Sequence, residues 1–229
     1  MRGLGGRYSS ELGIDVDRGD TEVERWFVAA TLFGTRISAS IAERTYADLA
    51  RAGINRIVDA GTFEWDALVA LLDTGGYTRY DFRTATRLQA LGKVIAERHG
   101  GDIGGIGRRF TDPAALVAVL DDLPGWGPVT IGLFLRELRG VWPGAQLPLD
   151  GRAAEAGHHL RLLTGRERDG LQRITSIAKR AACDERDLEA ALVRFSLAHR
   201  RTSNCPGGRH CVVLARMPES RMDDGGSRG

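Results

Sequence analysis

Residues 123–150 read LPGWGPVTIGLFLRELRGVWPGAQLPLD. Two glycines, Gly125 and Gly127, stand between two prolines, Pro124 and Pro128. Ile131, Phe134, Leu135 and Leu138 then recur at helical spacing, and Asp150 closes the stretch. Proline suits the first position of a helix, where its missing N–H costs nothing. The glycines permit backbone conformations closed to other residues and leave the main chain uncovered. Gly127, Val129 and Thr130 would then present N–H groups at a helix start, which is an anion site suited to a phosphodiester. Leu123 would tuck inward and anchor the turn. The short pattern alone fits a phosphate grip or a plain connector between two helices.

Outward from this turn, helical periodicity dominates and no segment reads as a convincing strand. Apolar stripes mark helices at Val23, Trp26, Phe27 and Ala30, at Ile41, Thr45 and Leu49, and at Trp65, Leu68, Val69 and Leu72. Another, with Leu88, Leu91 and Ile95, ends at His99-Gly100-Gly101. Asp112-Pro113 pairs an N-cap acid with proline at the first helical position, predicting a helix from Pro113 to Leu120. Later helices are marked by Leu160 and Leu163, by Leu171, Ile174 and Ala178, and by Leu188, Leu192 and Phe195. Asp184 with Asp187 forms a capping pattern before the last of these. The polar, glycine-rich residues 217–229 read as a disordered tail. The expected fold is all-α, with about nine or ten short helices.

The 229 residues allow one large domain or two small ones. No apolar run approaches the roughly 18 residues of a membrane span, and the first residues lack the apolar core of a secretory signal. Three cysteines argue against a disulfide framework. The expectation is a cytoplasmic protein with reduced thiols and no membrane partner. Net charge is only +2, so bulk charge does not point to nucleic acid. All basic residues except Lys93 and Lys179 are arginine. Arginine forks onto phosphates, although genomic codon bias gives the same composition. Between Arg194 and Cys211 lie Arg200, Arg201, Arg209, His199 and His210 but no acid. This strip is either a basic helix end or a phosphate-facing surface.

LPGWGPVT matches the helix-hairpin-helix pattern, and the helix TIGLFLRELRG, the loop VWPGAQLPL and Asp150 resemble the continuation found in endonuclease III-like (helix-hairpin-helix GPD) DNA glycosylases. Upstream, GGYTRYDFRTATRLQALGKVIAERHGGDI is similar to that family's glycine-aromatic turn and long helix. The resemblance implies two helical lobes with the active-site cleft between them. Residues 34–143 would form the lobe carrying the hairpin, and residues 1–33 with 144–216 the second lobe. It further implies a monomer acting on double-stranded DNA.

The resemblance makes Asp150 the catalytic acid, activating water or stabilising the oxocarbenium that forms as an N-glycosidic bond breaks. Asp150 also suits the N-cap of a helix from Gly151, and the two roles are compatible. The family often has Thr-His after its acid; here Gly151-Arg152 follows. A flipped base needs a pocket; Tyr77, Tyr80 and Trp26 are aromatic candidates, each equally readable as core or turn packing. Arg36, in LFGTRIS, stands where the family's wedge residue inserts. Bifunctional members use a lysine two residues after the second hairpin glycine; that position is Val129, which implies a monofunctional enzyme without lyase chemistry. Many members hold an iron–sulfur cluster on four cysteines, but Cys205 and Cys211 keep only the final spacing and Cys183 lies too far upstream. His199 or His210 could supplement the cysteines at a zinc site, yet the spacing fits no familiar pattern. The reading is therefore no cluster and no metal. A non-catalytic helix-hairpin-helix DNA-binding protein is the alternative.

Overall fold

The computed structural model describes residues 4–35, 37–165, 170–199 and 204–216. Among these, thirteen α-helices and two 3-10 turns, Val16–Arg18 and Gly208–His210, form the secondary structure and no strand is present. The chain divides into two compact units. A central unit comprises Leu12–Leu147, and a terminal unit combines Met1–Glu11 with Pro148–Gly229.

The central unit holds α2 (Asp20–Phe33), α3 (Ala39–Arg51), α4 (Ile57–Thr62), α5 (Trp65–Gly75), α6 (Asp81–His99), α7 (Ile103–Arg109), α8 (Pro113–Asp121) and α9 (Pro128–Glu137). Its local signals act as their chemistry dictates. Asp112 caps α8 by accepting the Ala115 N–H at 2.9 Å, with Pro113 in the first turn. Gly100, at φ 62°, ends α6 in the left-handed region, where its N–H reaches the Ile95 carbonyl. The core gathers around α2, which packs on α3, α7 and α9. Trp26, Phe27, Phe134 and Leu135 are fully buried there.

The contact division runs differently from the expected lobes, with residues 144–147 also on the central side. Residues 12–33 belong with the central unit, because α2 is buried along most of its length and its partners are helices of that unit.

The terminal unit contains α1 (Tyr8–Glu11), α10 (Gly151–His159), α11 (Gly170–Arg180), α12 (Glu185–His199) and α13 (Val212–Ala215). Ala153, Ala156, Ile174, Leu192 and Phe195 form its core, joined by Cys211. Leu160 and Leu163 follow α10 and lie outside a helix, although both are buried in that core. The N-terminal segment is tied down by charge: Arg7 donates through its backbone N–H and its Nε to Asp187, at 3.0 and 3.2 Å. Among the described residues no N–H at the start of α12 reaches Asp187, so the capping box is incomplete. Asp184 alone takes the Arg186 N–H at the start of α12. The four helices with no place in the sequence reading, α1, α4, α7 and α13, are all short and lack a full apolar stripe. No described helix is long and apolar enough to cross a membrane. Residues 217–229 lie outside the described residues.

Candidate functional site

The turn between α8 and α9 is built by two inward anchors. Leu123 is buried, as the reading of the turn requires, and so is Trp126. Trp126 stacks on Phe27 with centroids 4.2 Å apart, meets the Phe134 ring edge-on, and donates from Nε1 to Thr31 Oγ1 at 3.1 Å. Leu123 and Trp126 thus pin the chain while Gly125 and Gly127 pass over them.

The two glycines do different work. Gly125 sits at φ +75°, and a Cβ there would lie 2.0 Å from Arg87 Cδ. Only glycine fits without moving the arginine. Gly127 is extended, at φ −139°, and nothing lies within 4 Å of the place a Cβ would occupy. Its freedom is not needed for the local conformation; its missing side chain leaves open space beside the helix start.

Gly127 is the N-cap of α9 and offers no side-chain cap. The N–H groups of Gly127, Val129 and Thr130 have no acceptor among the described residues. Val129 is 63% exposed, whereas Thr130 is buried against Gly34, whose lack of a Cβ makes room for the threonine hydroxyl. Free N–H groups and the positive end of the helix dipole favour an anion here. Arg87, under the turn, is a contributor that the sequence reading lacks: its Nη2 donates to the Thr31 carbonyl at 3.0 Å. Burial holds its pKa below the ordinary arginine value.

Asp150 caps α10. One carboxylate oxygen accepts the N–H groups of Arg152 at 2.8 Å and Ala153 at 3.4 Å, and the Asp150 N–H donates to Glu189 Oε1 at 3.0 Å. Glu189, on α12, is itself buried, so a second carboxylate supports the backbone beneath the first. The capping reading of Asp150 therefore holds.

The aromatic candidates separate by burial. Trp26 is fully enclosed and donates from Nε1 to the Phe134 carbonyl at 3.2 Å. Tyr77 is also enclosed; its hydroxyl bonds the Leu32 carbonyl and Thr35, each at 2.7 Å. Burial drives that hydroxyl up to about 12, against a smaller lowering by Thr35. Neither ring has a face on which a base can stack, so both are packing residues. Tyr80 is half-buried at the start of α6, with the Arg79 guanidinium 5.6 Å above its ring. Arg36 lies outside the described residues, as do Arg200 and Arg201. Arg194 is committed to Glu11 at 2.6 Å and to the Tyr8 ring at 3.9 Å.

Comparison with protein-family models, with curated proteins and with solved structures found no match to this chain. The chemistry must be read from the residues themselves.

The terminal unit holds a further group. His159, His199, Cys205 and Cys211 place one ligand-capable atom each within 4.8 Å of all the others. His159 ends α10, His199 ends α12, and Cys211 caps α13. His199 lies near the cysteines in the sequence, whereas His159 is brought to them by packing alone. The Cys205 thiol is pushed up by burial, but the nearby His199 and Cys211 side chains and the Gly207 and Val212 N–H groups outweigh this and bring it down to about 6. A four-cysteine iron–sulfur cluster does not fit. Only two cysteines take part, and Cys183 is exposed elsewhere.

Proposed function

We propose that this protein is a monofunctional DNA glycosylase that hydrolyses the N-glycosidic bond of a damaged or mispaired base. The observation that carries the reading is the turn before α9, where three N–H groups stand without acceptors beside open space. Such a site holds a phosphodiester through the main chain and reads no sequence. The resemblance supplies the rest: Asp150 acts on the sugar, and Val129 stands where bifunctional relatives carry lysine.

In this reading the glycosidic bond breaks toward an oxocarbenium ion, and the Asp150 carboxylate stabilises the positive charge as it develops. Water adds its oxygen to the anomeric carbon and gives its proton to the carboxylate. The base departs with the electrons of the broken bond, and the strand is left intact with an abasic site. Lys93 and Lys179 are exposed on α6 and α11. The resemblance assigns neither a role as an imine-forming nucleophile.

A panel of duplex oligonucleotides, each with one lesion or mispair, tests the proposal. Release of a base from at least one duplex, with cutting only after alkali, is the expected result. The alternative reading, a DNA-binding protein without catalysis, draws on the capping role of Asp150, since a capping carboxylate has a structural reason to be there. Asp150→Asn separates the two, because asparagine caps helices about as well as aspartate but carries no charge.

A further inference from the structure

We propose that His159, His199, Cys205 and Cys211 hold one zinc ion in a closed, four-coordinate site that ties the ends of α10 and α12 to the C-terminal loop. This proposal does not depend on the glycosylase reading.

Tetrahedral zinc with two nitrogen and two sulfur ligands needs ligand atoms about 3.3–3.8 Å apart, from bond lengths of roughly 2.0–2.1 Å to nitrogen and 2.3 Å to sulfur. Here all four atoms already lie within 4.8 Å of one another. Small side-chain rotations close the remaining gap. Two imidazoles with two thiolates select zinc over harder cations such as magnesium or calcium, which prefer oxygen.

The surroundings are built for such a centre. Nε2 of both His159 and His199 is buried without a hydrogen-bond partner. A buried unpartnered nitrogen is costly, and coordination through Nε2 would remove that cost by engaging the lone pair. Cys205 Sγ accepts the Val212 N–H at 3.4 Å, an interaction that favours the thiolate, the form that binds metal. Gly207, at φ +71°, lets the loop between the cysteines lie against α10: a Cβ there would be 2.6 Å from the His159 carbonyl oxygen. Cys211 is completely buried in the terminal core. All four positions come from the protein, leaving none for a catalytic water, so the ion is structural.

Metal analysis of freshly purified protein, kept reduced, should find one zinc per chain and neither iron nor acid-labile sulfide. Replacement by cobalt should give the visible ligand-field bands of a tetrahedral ion and thiolate-to-metal charge transfer. Cys205→Ser and His199→Asn should each lose stoichiometric metal, while Cys183→Ser and His210→Asn retain it. If the first two variants do not fold, Cys183→Ser protein decides: mercurial modification of its two remaining thiols should release one zinc. The proposal is overturned by reduced, folded protein that takes up neither zinc nor cobalt, by a Cys205–Cys211 disulfide in fresh protein, or by a brown, iron-containing preparation.

Discussion

Gly127→Val tests the phosphate grip most directly, because the free protein has room for the side chain. The backbone at Gly127 is extended, at φ −139°, a conformation valine adopts readily, and nothing lies within 4 Å of its Cβ position. The cost to stability is the exchange of glycine for valine at an N-cap, about 1 kcal/mol or less. The cost to binding is larger. The new methyl groups occupy the space through which a phosphate would approach the N–H groups of Gly127, Val129 and Thr130. A hydrogen bond to a charged partner contributes about 1.5–3 kcal/mol, so losing one weakens binding about 10- to 150-fold. Fluorescence anisotropy with two duplexes of unrelated sequence, at one fixed salt concentration, should give the same ratio of variant to parent for both. The dependence of log K on log salt should also become shallower by about one phosphate contact. A Gly127→Val protein that melts like the parent and binds duplex as tightly would refute the reasoning and leave the turn a connector.

Asp150→Asn should keep the helix cap and DNA binding but lower base excision by about 10²–10³-fold, read in single-turnover assays; parental rates would exclude a charged role. Borohydride should trap no covalent protein–DNA adduct, and an adduct on denaturing gels would point to an amine nucleophile instead of water. Gly125→Ala should destabilise the central unit by about 1–2 kcal/mol from its left-handed backbone alone, with more from displacing Arg87, as measured by denaturant unfolding. At Asp184, burial raises the carboxyl pKa, but the hydrogen bonds from Arg186 and the charge of Arg7 outweigh it and hold it below the ordinary carboxylate value. A group depressed in the folded state stabilises above its unfolded pKa, about 3.9, and that contribution disappears as the pH falls through the folded value. Acid unfolding of Asp184→Asn should therefore lack this loss, so that variant and parent converge in stability at the lowest pH.

The sequence by itself determined the helical class and many helix ends, because those signals are local. Asp112-Pro113, Gly100 and Gly127-Pro128 each act within one helical turn, through a capping oxygen, a left-handed residue or a missing N–H, and each sits where its chemistry placed it. Asp150 as a helix cap was legible for the same reason. Tertiary structure decided what depends on contacts between distant segments. Trp26 and Tyr77 are aromatic in the sequence whether they stack on a base or fill a core, and only complete burial with satisfied polar atoms distinguishes the two. The unit to which α2 belongs was set by the helices it packs against, which its amphipathic pattern does not name. The His and Cys group is the extreme case. Cys205 and Cys211 are near neighbours in sequence, but His159 reaches them only because α10 packs against α12 and glycine at 207 lets the loop close on the helix end. Ligand spacing along a chain reports a site only when one local element supplies the ligands; here the site is made by the packing of two helices and a loop.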